Sequence, residues 1–130
     1  MNVIITLPPK FIQLIKEGKK SIELRKTCPI FFEPQKDVIY VCEKGTKSVV
    51  GYMTIKQIIC ANNKFAILEG WSKNIAVPQK WIANYIKDAE ELYGFFIGGY
   101  KSFYKPLSLN EYFHRLRAPQ SFMYTYENYR

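Results

Sequence analysis

The chain has little with which to hold a metal. It contains one histidine and three cysteines. Cys28, Cys42 and Cys60 are 14 and 18 residues apart, which matches no CxxC pair, and an odd count cannot pair fully within one chain. With only His114 beside them, this argues against a structural zinc site. Reduced thiols, as in the cytosol, are the expectation, and no metal or cofactor is expected. Apolar runs are short. None approaches the roughly 18 residues that a membrane span needs. Met1–Thr6, followed by Pro8-Pro9, is too short for the apolar region of a signal peptide. A cytoplasmic protein with no membrane partner is expected. Repeats, low-complexity stretches and long linkers are all missing, so residues 1–130 read as one domain.

Acidic residues are few: 11 against 19 Lys and Arg, for a formal net charge of +8. That excess favours polyanionic partners, nucleic acid before an acidic membrane surface. No block of five or six like charges occurs, so the charge belongs to a face of a folded body and not to a basic arm. Solvated lysines alone would give the same balance. Hydrophobic residues reach 48% and aromatics 16%, enough for one core with a minority of rings left for stacking.

Val3-Ile4-Ile5 reads as a strand. Pro8-Pro9 opens a helix, where proline is tolerated, and Phe11, Leu14 and Ile15 make its apolar face. Gly18 suits the helix end, with Lys16, Lys19 and Lys20 at the negative pole of its dipole. Ser21–Arg25 alternates as a half-buried strand: Ile22 and Leu24 to the core, Ser21, Glu23 and Arg25 on the other face. Strands are expected at Asp37–Cys42 and at Ser48–Cys60, the latter bent at Gly51. A short helix near Phe65–Trp71, a loop to Val77 and a helix from Pro78 to about Ile86 follow. Leu92–Lys105 reads as a strand in which Gly94, Gly98 and Gly99 suggest bulges or tight bends. Ser108 caps a helix to Leu116, with Glu111 as its capping-box partner. Gln120–Tyr126 reads as a last strand. Strands interrupted by helices without βαβ alternation mean α+β, most simply a small mixed or antiparallel barrel with peripheral helices.

The run Leu14-Ile15-Lys16-Glu17-Gly18-Lys19-Lys20-Ser21-Ile22-Glu23-Leu24-Arg25 resembles the opening signature of the ASCH family: a helix ending in Gly, then Lys-Thr/Ser-x-Glu-x-Arg on a strand. Val49-Val50-Gly51-Tyr52 resembles the family's next strand. Pro106-Leu107-Ser108-Leu109 with Ala118-Pro119-Gln120-Ser121-Phe122 resembles its closing element. The resemblance implies a PUA-like barrel with a cleft beside the first helix and strand, in a superfamily of RNA-binding modules and readers of modified bases. It also touches a bacterial amidohydrolase that deacetylates acetylated cytidine. That enzyme's motif has lysine where Lys20 stands, but a threonine nucleophile where Glu23 stands. Ser21 does not replace the threonine simply, being displaced from Glu23 by about two strand rises of roughly 3.3 Å.

The candidate ligand residues are Lys20, Ser21, Glu23, Arg25, Tyr52, Arg115, Arg117, Gln120 and Ser121. Lys20 and Arg25 suit phosphate, while Glu23 accepts from a base edge or orients Arg25. A plain ion pair at the barrel mouth would use the same residues. Gln120 and Ser121 offer hydrogen bonds. Arg115 and Arg117 also suit a helix end. For Tyr40 and Trp81 core packing is the expectation; Trp71, in an apparent loop, is expected to be the exposed ring. His114 reads as solvated, as does Glu90-Glu91 after Asp88. Three functions compete. The first is an RNA- or nucleotide-binding domain, with DNA also possible. The second is a ribonuclease or nucleoside amidohydrolase in which Lys20 stabilises charge and Glu23 acts as base. The third is a protein-interaction or transcription-coregulator module, which an exposed Trp71 would favour.

Overall fold

The computed structural model describes residues 1–130. Asn2–Leu7 forms β1 and Pro9–Lys16 forms α1. β2 (Ile22–Arg25), β3 (Val38–Glu43) and β4 (Ser48–Ala61) follow. Three short helices, α2 (Lys64–Gly70), α3 (Ser72–Ile75) and α4 (Gln79–Ile86), lead to β5 (Leu92–Ser108). Then come α5 (Leu109–Phe113) and β6 (Met123–Thr125). The class is α+β, as expected.

The six strands form one sheet in the order β2-β5-β4-β3-β1-β6. β1 and β3 are parallel and every other neighbouring pair is antiparallel. A parallel pair needs a crossover, which α1 and β2 supply. Side chains alternate across a strand, so β1 and β3 feed two cores. Val3, Ile5, Ile39 and Val41 pack under α1 through Ile12 and Ile15. Ile4, Val38 and Tyr40 pack under α5 through Leu109 and Phe113. A third cluster sets Ile22 and Leu24 of β2 against Ile67, Ile75 and Ile82 of the three middle helices.

The expected barrel is not closed by its ladder. β2 and β6, of four and three residues, are the two ends of the sheet, and no ladder joins them. Side chains span the opening instead. The Arg25 guanidinium donates to the Ser121 carbonyl, and the Thr27 and Ser121 hydroxyls lie 2.8 Å apart.

Several local expectations shift. The stretch read as a loop before Val77 contains α3, begun at Trp71 and ended by Ala76 in the left-handed region (φ 62°). Ser108 caps α5, accepting from the Glu111 amide at 3.2 Å, but His114 turns left-handed (φ 60°) and stops the helix short of Leu116. β5 continues through Pro106. Val49 pairs with Leu107 and Gly51 with Ser102, so the intervening β5 residues bulge out and the missing proline N–H costs no ladder bond. Gly98 falls in a second bulge, between Ile97 and Gly99. Gly94 marks no bulge; a Cβ there would lie 2.7 Å from the Trp71 ring, so it is the seat of an indole. No helix is long and apolar enough to cross a membrane.

Candidate functional site

The end of α1 positions the first site residue. Gly18 is left-handed (φ 75°). The Gly18 amide donates to the Ile15 carbonyl and the Lys19 amide to the Leu14 carbonyl, both at 3.0 Å. That pattern is a Schellman cap. The Lys20 amide also donates to Leu14, at 3.1 Å, and the chain doubles back so that the Lys20 side chain runs beneath α1. Its ammonium lies 5.0 Å from the centre of the Phe11 ring.

Lys20 is buried, with its side chain 1% exposed. Its ammonium donates to the carbonyls of Ile22 and Ile75, each at 3.1 Å, and lies 3.2 Å from Glu23 Oε1. An ammonium has three protons, so all three are engaged. Lys20 therefore has no donor left for the phosphate expected of it; its role is to hold Glu23. Glu23 is buried too, and its Oε2 accepts from Arg25 Nη1 at 3.1 Å. The face of β2 expected to be open is covered, because the curled sheet brings Val3 and Ile5 of β1 and Phe95 of β5 around it. Arg25 spends one N–H on Glu23 and one on the Ser121 carbonyl, leaving three of its five. Two cations thus hold one carboxylate, and each Glu23 oxygen keeps one lone pair.

This triad lies against a cleft of about 400 Å³. One wall is aromatic. Trp81 and Tyr85, four residues apart on α4, stack at 5.1 Å with planes 10° apart. Phe11 meets Trp81 edge-on at 5.7 Å. The Lys26 ammonium sits 4.3 Å from the centre of the Tyr85 ring. Burial pushes the Tyr85 phenol above its ordinary pKa, while the Arg25 charge pulls the other way. Lys44 and Gln120 also line the cleft. The lining carries three cations, Lys20, Arg25 and Lys44, against one carboxylate.

The two tryptophans exchange their expected places. Trp81 is 43% exposed and stands in the cleft. Trp71 rests on Gly94 and meets Phe96 edge-on at 5.6 Å, so it is no exposed ring. Tyr40 is fully buried, as expected. The spacing of α4 held the missing signal: Ile82 and Ile86 take the buried stripe, which leaves the neighbouring Trp81–Tyr85 stripe to the cleft. Lys44, Lys26 and Phe11 carried no comparable signal.

The other candidates scatter. Lys20, Glu23, Arg25 and Gln120 share the cleft. Ser121 adjoins it through Arg25 and Thr27. The Ser21 hydroxyl accepts from Asn74 Nδ2 at 3.0 Å, outside the cleft. Tyr52 packs near Tyr40 and Phe103 over the second core, away from the triad. Arg115 donates to the Tyr124 carbonyl at 3.3 Å and lines separate surface hollows. Arg117 is exposed and borders none of these hollows. His114 faces Glu127 at 3.7 Å on the surface. No group of three His, Cys, Asp or Glu side chains comes together as a metal site would require.

No family model matches the chain, and neither does any curated protein. Solved structures do. The ASCH protein from Zymomonas mobilis superposes with a TM-score of 0.81 at 20% identity, covering 95% of this chain and 86% of that one. A serine-to-alanine and a tyrosine-to-phenylalanine variant of that protein give the same TM-score of 0.81. A hypothetical protein superposes with a TM-score of 0.55 over 77% of this chain and 97% of its own, also at 20% identity. The chain has the fold of an ASCH domain.

Proposed function

We propose that the protein is an RNA- or nucleotide-binding domain that holds one base in the cleft beside α1 and β2. In this reading the curled sheet is a PUA-like barrel whose last gap is closed by Arg25, Thr27 and Ser121, and the free thiols belong to a cytoplasmic protein. The observation that carries the reading is that a fixed, buried carboxylate and an exposed indole line the same cleft. Trp81 offers its face to a base. Glu23 accepts from the edge of that base. Arg25 and Lys44 have N–H donors left for phosphate, and Gln120 supplies a further hydrogen bond.

The same geometry weighs against the hydrolytic alternative. A charge stabiliser needs free donors, and Lys20 has none. The interaction-module alternative leaned on an exposed Trp71, which is packed against Gly94.

The test is a titration of the protein with single-stranded RNA, duplex RNA and DNA at two salt concentrations, followed by tryptophan fluorescence. Phosphate contacts predict weaker binding at high salt. Trp81→Ala should remove about 1–3 kcal/mol of binding free energy, the usual contribution of one stacked base, and Arg25→Ala should weaken binding as well. Affinity no greater than that of an unrelated basic protein would overturn the reading. Breakdown of RNA or of acetylated cytidine, lost in Glu23→Gln, would replace it with the hydrolytic one.

A further inference from the structure

We propose that the cleft selects guanine over the other RNA bases and that Glu23 is the residue that selects it, an inference that rests on the base-binding reading above. The argument starts from the lone pairs of one carboxylate. Glu23 Oε1 faces Lys20 at 3.2 Å and Oε2 accepts from Arg25 at 3.1 Å. A carboxylate has about four lone-pair sites, so each oxygen keeps one. These two acceptor sites sit side by side on one carboxylate, with no donor between them, and Glu23 is among the residues that line the cleft.

That pair matches two adjacent N–H donors. Guanine alone among the four RNA bases has them on its Watson–Crick edge, at N1–H and the exocyclic N2–H. Adenine and cytosine place an amine beside a ring nitrogen whose lone pair would face the second carboxylate oxygen. Uracil places one N–H between two carbonyl oxygens, both of which would face the carboxylate. The match depends on the carboxylate staying in place, and its cations are themselves tied down. Lys20 is held by the carbonyls of Ile22 and Ile75, and Arg25 by the carbonyl of Ser121. A preorganised acceptor loses little freedom on binding. Trp81 does not discriminate, because every base has a face to stack. Selectivity therefore falls to Glu23.

The experiment compares five labelled uridine pentamers whose central base is guanine, hypoxanthine, adenine, cytosine or uracil, by fluorescence anisotropy at one salt concentration. The guanine pentamer should bind about tenfold or more tightly than the adenine, cytosine and uracil pentamers, the scale of one good bidentate contact. Hypoxanthine keeps N1–H and lacks the 2-amino group, so it should fall between. Glu23→Gln has one acceptor and one donor where there were two acceptors; it should bind the guanine pentamer no more tightly than the adenine, cytosine and uracil pentamers. Should that variant fail to fold, the wild-type series decides alone. Equal affinity for all five, or preference for another base, overturns the selectivity and leaves the cleft reading standing. No binding of any pentamer overturns both.

Discussion

Lys20→Met is the perturbation that tests the site most directly. Methionine keeps the unbranched stem beside Phe11 and removes only the charge and its three donors. In the native protein that ammonium is almost wholly enclosed, its side chain 1% exposed against 5% for Glu23. Removing it leaves Glu23 with Arg25 as its one cation and strips a donor from the carbonyls of Ile22 and Ile75. Breaking a buried pair by deleting one partner costs about 3–5 kcal/mol, because the surviving charge stays out of water. A domain of this size is stable by about 5–15 kcal/mol in all, so the loss is a large fraction of it. Lys19→Met is the internal control. Lys19 is 67% exposed and 3.8 Å from Glu17, and an exposed pair contributes about 0–1 kcal/mol. Urea unfolding followed by tryptophan fluorescence should show Lys20→Met far below the wild type and Lys19→Met close to it. If Lys20→Met lay within about 1 kcal/mol of the wild type, the buried triad would not hold this end of the fold.

Gly94→Ala should destabilise by about 1–3 kcal/mol, the usual cost of overpacking, because its Cβ would lie 2.7 Å from the Trp71 ring. Trp71→Phe in the same background should recover part of the loss in thermal unfolding; a single Gly94→Ala variant as stable as the wild type would contradict the contact. Tyrosine ionisation supplies a pH prediction. Burial raises the phenols of Tyr40, Tyr85 and Tyr100 above their ordinary value. Tyr93 is pushed up to about 12, first by the hydrogen bond it donates to Glu91. A raised pKa means that the folded state holds the proton more tightly, so the stability linked to the buried phenols is complete below about pH 10 and is lost as pH rises through the folded values. Absorbance at the phenolate band should therefore rise later in the native protein than in urea, and superimposable curves would refute the assignment.

Much of the fold is legible in local patterns, for local reasons. Pro9 and Gly18 bound α1 because one residue lacks an N–H and the other tolerates a left-handed backbone. Alternation places Ile22 and Leu24 together on one side of β2, where they do pack. Ser108 caps α5 because its hydroxyl meets the Glu111 amide. The ends of elements are less legible. Nothing near His114 foretells the left-handed turn that ends α5, and the bulge that lets β5 pass Pro106 depends on its partner strand.

The site divides along the same line. From the sequence alone come Lys20, Glu23, Arg25, Gln120 and Ser121 as candidates, because their types and spacing are local properties. Tertiary structure alone decides what each can do. Lys20 is spent on holding Glu23 because the Ile75 carbonyl, 55 residues away, arrives above it. Glu23 is buried because the sheet curls, and alternation cannot distinguish a face turned to solvent from one turned into a curl. Trp71 lies on a glycine of β5 while Trp81 stands in the cleft. Which aromatic ring meets water is set by the neighbours that long-range packing brings, and no stretch of sequence around either tryptophan contains those neighbours.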